Sequence, residues 1–172
     1  TIQTHLSLSA EEAKNKAINL LKEVGIKDAE KRFDNYPHQF SGGMRQRVVI
    51  SLSLCCEPEL LIADEPTTAL DVSIQSQILD LIKRLTKERN LAVILITHDM
   101  GVIYETTNRV AVMKNGDLVE IGQTKEILTN PNDSPSLMLN DTSFTAITEF
   151  LVLSVKKLSS NVLLKFLTLT KS

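Results

Sequence analysis

Two adjacent carboxylates follow the short apolar run LLIAD, which spans residues 60–64. A continuous apolar run of this length is typical of a strand buried on both faces, so Asp64 and Glu65 are expected where that strand ends. In an open α/β sheet this edge is where ligands bind. One acid of such a pair can hold Mg²⁺ while the other orients or deprotonates a water. The alternative is that both acids mark a solvated strand end.

A histidine follows a second apolar run, LAVILIT, at residues 91–97. A helical pattern separates the two runs, and this order predicts a βαβ unit with parallel strands. Because neighbouring strands lie about 5 Å apart, His98 is expected within side-chain reach of Asp64 and Glu65. There it would touch a phosphate or position a water. The alternative is that it serves only as a helix cap.

The third candidate is an anion site where the residues Ser-Gly-Gly-Met open another helix. Ser41 can be the N-cap of that helix, and a helix N-terminus without side-chain cover favours anions. Arg45 and Arg47 would add positive potential nearby. The backbone N–H groups expected to be unpaired are those of Gly42, Gly43 and Met44. The alternative is a loop that the glycines merely relax before the helix.

Helix and strand patterns define the elements that would position these groups. Ser9 and Glu12 are spaced as a capping box, and Gly25 is expected to end the helix that they open. Ser73 is expected to cap the long helix between the two buried strands. Residues 109–122 predict a hairpin with Asn-Gly as its two-residue turn.

Charge and cysteine usage exclude several classes of protein. The net charge of −2 gives no bulk attraction to DNA or to anionic lipid, so no nucleic-acid partner is expected. No stretch of 18 residues is apolar enough to span a bilayer, so membrane work is expected to go through a partner. The two cysteines, Cys55 and Cys56, are neighbours and cannot join distant segments, which favours a reducing compartment. We expect them inside a helix, as buried packing.

The character of the sequence changes near residue 134. Residues 136–172 contain no Gly, Pro or Arg, and several of their apolar residues fall near heptad spacing. Two interpretations remain open for this tail. It is either an amphipathic helix that binds a membrane or partner, or a C-terminus replaced by a frameshift.

Together these motifs resemble the nucleotide-binding subunits of ABC transporters over about residues 4–131. The matching segments are SGGMRQR for the signature loop, LLIADEPT for the Walker B strand with its catalytic glutamate, TALD for the D-loop and ITHD for the H-loop. The longer runs YPHQFSGGMRQRV and CEPELLIADEPTTALDV are similar to the oligopeptide/dipeptide importer branch, which includes nickel importers. Met44 stands where most members of the family carry Gln.

The resemblance implies an α/β fold, part of the P-loop NTPase fold of ABC ATPases. Parallel strands with flanking helices would stand beside a helical subdomain. Residues 1–57 would form the helical signature subdomain, and residues 58–133 the C-terminal half of the ATPase core. Residues 134–172 would be an atypical tail.

The resemblance also implies a role for each candidate residue. Asp64 would help to hold Mg²⁺, Glu65 would act as general base on the attacking water, and His98 would contact the γ-phosphate. Asp71 would cross a dimer interface near the other active site. The residues that would close over the γ-phosphate of a nucleotide bound mainly by the partner subunit are Ser41, Gly42, Gly43 and Met44.

The implied cofactors are ATP and Mg²⁺, and the implied function is an ATP-hydrolysing subunit of an importer for oligopeptides or dipeptides. The implied partners are a second ABC ATPase subunit and transmembrane permease subunits. Through them the chain would lie peripherally at the cytoplasmic face of the plasma (inner) membrane. A soluble ABC ATPase of DNA repair or translation would need a long coiled-coil insertion or a second cassette, and the sequence has neither.

The phosphate-binding loop G-x-x-x-x-G-K-[ST] is absent, since none of the six glycines is followed by lysine. We therefore expect the isolated 172-residue chain to bind ATP weakly or not at all, and not to turn it over. Two alternatives to an active subunit follow from this gap. The chain would be an inactive truncated fragment, or a non-catalytic partner that supplies only a signature loop.

Overall fold

The computed structural model describes residues 1–114, 117–129 and 150–154. Helices and strands alternate through the second half of this described part, and the first half is helical. The helices are α1 (Ile2–Leu6), α2 (Ala10–Glu23), α3 (Ala29–Arg32), α4 (Gly42–Leu54), α5 (Val72–Glu88), α6 (Met100–Thr106) and α7 (Thr124–Thr129), with a short 3₁₀-helix at Pro37–Gln39. The strands are β1 (Leu60–Asp64), β2 (Ala92–Ile96), β3 (Arg109–Lys114), β4 (Asp117–Gln123) and β5 (Phe150–Ser154).

The chain divides into two compact units. The helical unit comprises Thr1–Leu61 and Pro66–Asn90, and the sheet unit comprises Ile62–Glu65 and the described residues from Leu91 onward. Each unit has its own apolar interior. The largest fully buried side chains of the helical unit are Val24, Leu54, Ile78 and Leu85. The largest in the described part of the sheet unit are Ile94, Ile103 and Val110.

Helix α2 begins at the predicted capping box. The Ser9 hydroxyl accepts the Glu12 N–H at 3.3 Å, and the Glu12 carboxylate accepts the Ser9 N–H at 2.9 Å. The helix ends before Gly25, whose φ of +82° lies in the left-handed region that glycine adopts without strain. Both predicted ends of α2 are therefore confirmed. Helix α2 packs on α4, and α4 packs on α5.

The five strands form one sheet in the order β1-β2-β5-β3-β4. The two apolar runs form neighbouring strands joined through α5, as predicted. The expectation of burial on both faces holds for β2 and is wrong for β1, in which Leu61 is buried but Ile62 is 48% exposed. Strand β5 is antiparallel to both β2 and β3. Strands β3 and β4 form the predicted hairpin, with Lys114 opposite Asp117. The expected Asn-Gly turn between them lies outside the described residues.

The tail contributes a strand where a helix was one of two expectations. Residues 150–154 pair through their backbone with Ala111 and Val112 on one side and with Val93 to Ile96 on the other. The helical interpretation is wrong for these residues. The segment FLVLS is a short continuous apolar run, and such a run fits a central strand as well as it fits a helical stripe. The other positions of the predicted tail lie outside the described residues.

The two cysteines follow α4 in a turn instead of lying inside the helix. Cys55 is the C-cap of α4 and is buried, while Cys56 is exposed. The expectation of buried helical packing is therefore right for the burial of Cys55 and wrong for Cys56. The chain turns here because Glu57 adopts a left-handed conformation with φ of 54°, and this conformation stops a helix.

Candidate active site

Glu65 and His98 meet at the end of strands β1 and β2. The N–H of Glu65 donates to the carbonyl of Ile96 at 2.8 Å, which holds the residue after β1 beside the last residue of β2. His98 lies two residues after Ile96, and its side chain reaches the Glu65 carboxylate. Its Nδ1 lies 2.5 Å from Glu65 Oε1. The proximity predicted from adjacent strand ends is therefore observed for His98 and Glu65.

This pair is open to solvent. The side chain of Glu65 is 38% exposed and that of His98 is 69% exposed, so a bound molecule can reach both. A contact between Nδ1 and a carboxylate oxygen fixes the orientation of the imidazole ring. A carboxylate has about four lone-pair sites on two oxygens, so one oxygen shared with a histidine does not exhaust its capacity to accept a proton from water.

The backbone of Glu65 is strained. Its φ of 40° lies in the left-handed region, which a residue with a side chain adopts at a cost of about 1–2 kcal/mol. Strain of this kind concentrates at functional sites, where surrounding structure maintains it.

Asp64 is the last residue of β1 and is exposed. Within the described ranges, no three or more His, Cys, Asp or Glu side chains are grouped to hold a metal ion. This arrangement fits Mg²⁺, which is commonly bound through one or two carboxylates, several waters and phosphate oxygens.

Asp99 supports the turn that carries His98. Its carboxylate Oδ1 accepts the N–H groups of Gly101 at 2.9 Å and Val102 at 3.1 Å, and so caps α6. Its own N–H donates to the hydroxyl of Thr97 at 3.1 Å. The capping role considered for His98 therefore belongs to Asp99, which leaves the His98 ring to the contact with Glu65.

The N-terminus of α4, in the helical unit, holds the second set of candidate residues. Ser41 is the N-cap as predicted, and its hydroxyl accepts the N–H of Met44 at 3.3 Å. The expectation that three N–H groups are unpaired is therefore wrong for Met44, because the serine side chain bonds it. The N–H groups of Gly42 and Gly43 precede the first intrahelical hydrogen bond, which runs from Arg45 N–H to the Ser41 carbonyl at 2.8 Å.

The two glycines of this helix start have different surroundings. Gly43 is buried, and a Cβ atom added to it would lie 2.6 Å from Cγ2 of Ile74 on α5. A Cβ added to Gly42 would lie 3.4 Å from Cδ2 of Leu70, at ordinary contact distance. Gly43 thus lets α4 approach α5 closely. The sequence pattern gave no signal of this, because it depends on how the two helices pack.

The arginines after the glycines bind backbone carbonyls. Arg45 Nη1 donates to the carbonyl of Phe40 at 2.8 Å. Arg47 Nη1 donates to the carbonyl of Val24, at the end of α2, at 2.6 Å. Both side chains therefore brace the start of α4 in addition to adding positive charge there. Sequence reasoning assigned them only the charge.

Asp71 caps α5. Its carboxylate Oδ1 accepts the N–H of Ile74 at 3.0 Å, and its backbone is extended. The prediction that Ser73 caps this helix is wrong, because Asp71 begins it two residues earlier. Aspartate and serine are comparable N-caps, so the sequence alone did not distinguish them.

Sequence comparison decides the family. Residues 1–68 match the model of the ABC transporter family. The chain is 48% identical over 152 residues to the dipeptide transport ATP-binding protein DppD of Bacillus subtilis, covering 83% of this chain and 45% of that protein. It is 55% identical over 127 residues to the oligopeptide transport ATP-binding protein OppD of Bacillus subtilis, covering 74% of this chain and 36% of that protein. The chain belongs to the ABC transporter family. It spans less than half the length of these curated relatives.

Solved structures of ABC transporter ATPases share the fold. The cbiO1 protein of Clostridium perfringens, part of the ABC transporter complex cbiONQ, matches with a TM-score of 0.63 and 34% identity over 72% of this chain and 48% of that one. The dimeric ATP-binding cassette MJ0796, in a post-hydrolysis state bound to ADP and Pi, matches with a TM-score of 0.57 and 34% identity over 68% of this chain and 49% of that one. The predicted α/β fold of ABC ATPases is therefore confirmed.

ATP is the nucleotide that proteins of the ABC transporter family bind. Its solved members include a dimeric cassette and a component of a transporter complex. In the part of this chain that the structure describes, no helix has the length and apolar character needed to cross a membrane.

Proposed function

We propose that this chain belongs to the ATP-binding and ATP-hydrolysing subunit of an ABC importer for peptides. The observation that carries the proposal is the contact of 2.5 Å between His98 Nδ1 and Glu65 Oε1 at the ends of two neighbouring strands. The relatives add the class of cargo. DppD, OppD and the oligopeptide transport ATP-binding protein AmiE of Streptococcus pneumoniae are all named for peptide transport.

In this proposal Glu65 is the general base of hydrolysis. Its carboxylate takes a proton from the water that attacks the γ-phosphorus of ATP. A positioned general base contributes typically about 10²–10⁴-fold to a rate. The strained backbone at Glu65 and the hydrogen bond to His98 both hold the carboxylate in one orientation, and positioning is the main contribution of a protein to phosphoryl transfer.

His98 would contact the γ-phosphate through its other ring nitrogen. Nδ1 is engaged by Glu65 at 2.5 Å, which leaves Nε2 as the nitrogen to face a phosphate. Phosphate oxygens only accept hydrogen bonds, so Nε2 must then carry a proton. Asp64 would hold Mg²⁺ directly or through water, and the bound ion would neutralise charge on the phosphates.

The signature loop would act on the nucleotide of a neighbouring subunit. Its members are Ser41, Gly42, Gly43 and Met44. The N–H groups of the two glycines at the start of α4, together with the positive end of the helix dipole, suit a phosphate. Asp71 would lie near the neighbour's active site across the interface, and its cap on α5 would fix the loop that carries it. Residues 1–57 and 58–133 would be the signature subdomain and the C-terminal half of the core.

The proposed partners are a second ABC ATPase subunit and transmembrane permease subunits. Through the permeases the protein would lie at the cytoplasmic face of the plasma membrane. The high identity to DppD and OppD, 48% and 55%, supports this assignment. It rests on resemblance to whole proteins that are more than twice as long as the matched segment.

The test is ATP hydrolysis by the full-length protein in its assembled transporter, with and without the transported peptide. Glu65→Gln removes the base but keeps the size of the side chain, and we expect it to lower the rate by at least about 100-fold. Glu59→Gln is the matched control, because Glu59 is an exposed carboxylate just before β1. If the Glu65→Gln protein hydrolysed ATP as fast as the Glu59→Gln protein, Glu65 could not be the general base. Hydrolysis that responds to Ni²⁺ and not to peptides would exclude the proposed cargo.

A further inference from the structure

Cys55 and Cys56 form a close pair of thiols at the end of α4. Their sulfur atoms lie 3.6 Å apart. Cys55 is only 3% exposed, whereas Cys56 is exposed. Solvent therefore reaches the thiol of Cys56 directly, while the thiol of Cys55 lies buried beside it. Neither thiol has a role in the proposed hydrolysis of ATP.

The geometry of the pair does not favour a disulfide. Neighbouring Cα atoms are about 3.8 Å apart across a trans peptide, whereas the Cα atoms of disulfides are usually about 4.4–6.8 Å apart. A disulfide between neighbours is therefore strained. The observed separation of 3.6 Å is instead close to that of two sulfurs bound to one central atom. Bonds of about 2.3 Å to sulfur place the two sulfurs roughly 3.4 Å apart at a pyramidal angle of about 95° and roughly 3.8 Å apart at the tetrahedral angle.

We propose that Cys55 and Cys56 form a vicinal dithiol site that chelates monosubstituted trivalent arsenicals. This class of ligand fits because its arsenic atom already bears one carbon substituent and needs two sulfurs to complete its coordination. A zinc-like ion needs four ligands, and in the described ranges no three or more His, Cys, Asp or Glu side chains are grouped for a metal ion. Two thiols at chelating distance therefore suit a ligand that needs only two sulfur atoms from the protein.

The reaction proceeds in two condensations without any change of oxidation state. In water the arsenical R–As=O adds one water to become R–As(OH)₂. The thiol of exposed Cys56 replaces one hydroxyl, forming an As–S bond and releasing water. The thiol of Cys55 then replaces the second hydroxyl and releases a second water. The net reaction forms R–As(S)₂ from two thiols and R–As=O, with one water released.

The surroundings favour this order of attack. Burial raises the pKa of the Cys55 thiol, and the contact with Cys56 raises it further. Cys55 therefore remains protonated and inert until the arsenic atom is already bound to Cys56 beside it. Backbone hydrogen bonds hold the turn that carries the pair, from Cys55 N–H to the Leu52 carbonyl at 3.3 Å and from Glu57 N–H to the Leu54 carbonyl at 3.0 Å, and so keep the two thiols side by side.

The test uses phenylarsine oxide with the reduced full-length protein, read by intact mass in the presence of excess monothiol. The chelate should form with one arsenical per chain, survive the monothiol and be removed by a small 1,2-dithiol. Cys56→Ser leaves a single As–S bond, and we expect retention to fall by about 100-fold or more, because the second bond forms at high effective concentration. Equal retention by wild type and Cys56→Ser would overturn the proposal.

A second readout separates a folded site from a reactive unfolded chain. Cys55 is buried, so its replacement is expected to destabilise the fold, and the comparison rests on the exposed Cys56 instead. Chelation in the native geometry should raise the melting temperature of the wild type, because a ligand of the folded state stabilises it. It should leave the melting temperature of Cys56→Ser unchanged. A fall in the melting temperature of the wild type on binding would mean that only the unfolded chain chelates, and would overturn the proposal.

Discussion

Gly43 on α4 and Ile74 on α5 are so close that no side chain fits between them: a Cβ atom on Gly43 would lie 2.6 Å from Cγ2 of Ile74. We expect Gly43→Ala to lower the free energy of unfolding by about 1–3 kcal/mol, the usual cost of overpacking. Gly42→Ala is the matched control, since its added Cβ would lie 3.4 Å from Leu70. Urea unfolding of both variants measures the difference.

Removal of Cγ2 from Ile74 should relieve this overlap. In the double variant Gly43→Ala/Ile74→Ala, the two changes should couple by at least about 1 kcal/mol in the stabilising direction. Strict additivity in the double-mutant cycle would show that the close approach of the helices is not what requires glycine. Gly43 would then be explained only by its backbone N–H.

The ion pair between Glu23 and Arg89 predicts a pH dependence of stability. Arg89 Nε and Nη2 each lie 2.6 Å from a carboxylate oxygen of Glu23. The hydrogen bonds from Arg89 are the main cause that lowers the pKa of Glu23 below its usual value of 4.5, against an opposing effect of burial. The folded pKa is thus below the unfolded one. Stability from the pair is therefore fully present above about pH 4.5 and is lost as pH falls through the folded pKa.

Replacement of Glu23 by Gln should remove this dependence. We expect a loss of about 1 kcal/mol at pH 7 that shrinks toward pH 3. Glu88→Gln is the control, because Glu88 pairs with Arg84 at 2.7 Å but is 52% exposed. Its effect should stay within about 0.5 kcal/mol. The measurement is the free energy of unfolding by denaturant at pH 7, 4.5 and 3. A loss of stability in Glu23→Gln that does not change with pH would show that the Glu23–Arg89 pair does not cause the pH dependence.

Asp71 has an observed structural role and a proposed functional one, and two substitutions separate them. Asp71→Asn keeps a good N-cap for α5, whereas Asp71→Ala loses the bond to Ile74 N–H and should cost about 1 kcal/mol of stability. If the negative charge also acts at a subunit interface, Asp71→Asn should lower ATP hydrolysis while stability is kept. Unchanged hydrolysis in a stable Asp71→Asn protein would limit Asp71 to capping.

The strained conformation of Glu65 gives a stability prediction that does not depend on its chemistry. Glu65→Gly and Glu65→Ala both remove the contact with His98, but only glycine relieves a φ of 40°. The glycine variant should therefore be more stable than the alanine variant by about 1 kcal/mol. At Glu59, whose φ is not positive, the order should reverse. A more stable alanine variant at both positions would show that Glu65 is not strained.

The sequence predicted those features that depend on local pattern. The capping box of Ser9 and Glu12 follows from spacing alone, and the meeting of Glu65 with His98 follows from two short apolar runs joined by a helix. These predictions succeed because hydrogen bonding within a turn and pairing of adjacent strands leave few alternatives.

The sequence did not predict features that depend on how elements meet. The approach of Gly43 to Ile74 and the bond from Arg47 to the Val24 carbonyl, at 2.6 Å, require the packing of separate helices. Strand β5 was missed because the apolar run FLVLS suits a strand and a helical stripe equally. Only its neighbours in the sheet decide between them.

The central claim, that Glu65 is the base of ATP hydrolysis, is tested most directly by separating binding from chemistry. Full-length wild-type, Glu65→Gln and Glu59→Gln proteins should be loaded with radiolabelled ATP and Mg²⁺ in single-turnover conditions. The account predicts that Glu65→Gln binds ATP within a few-fold of wild type but cleaves it at least about 100-fold more slowly, while Glu59→Gln behaves as wild type. Cleavage by Glu65→Gln at the wild-type rate would contradict the account.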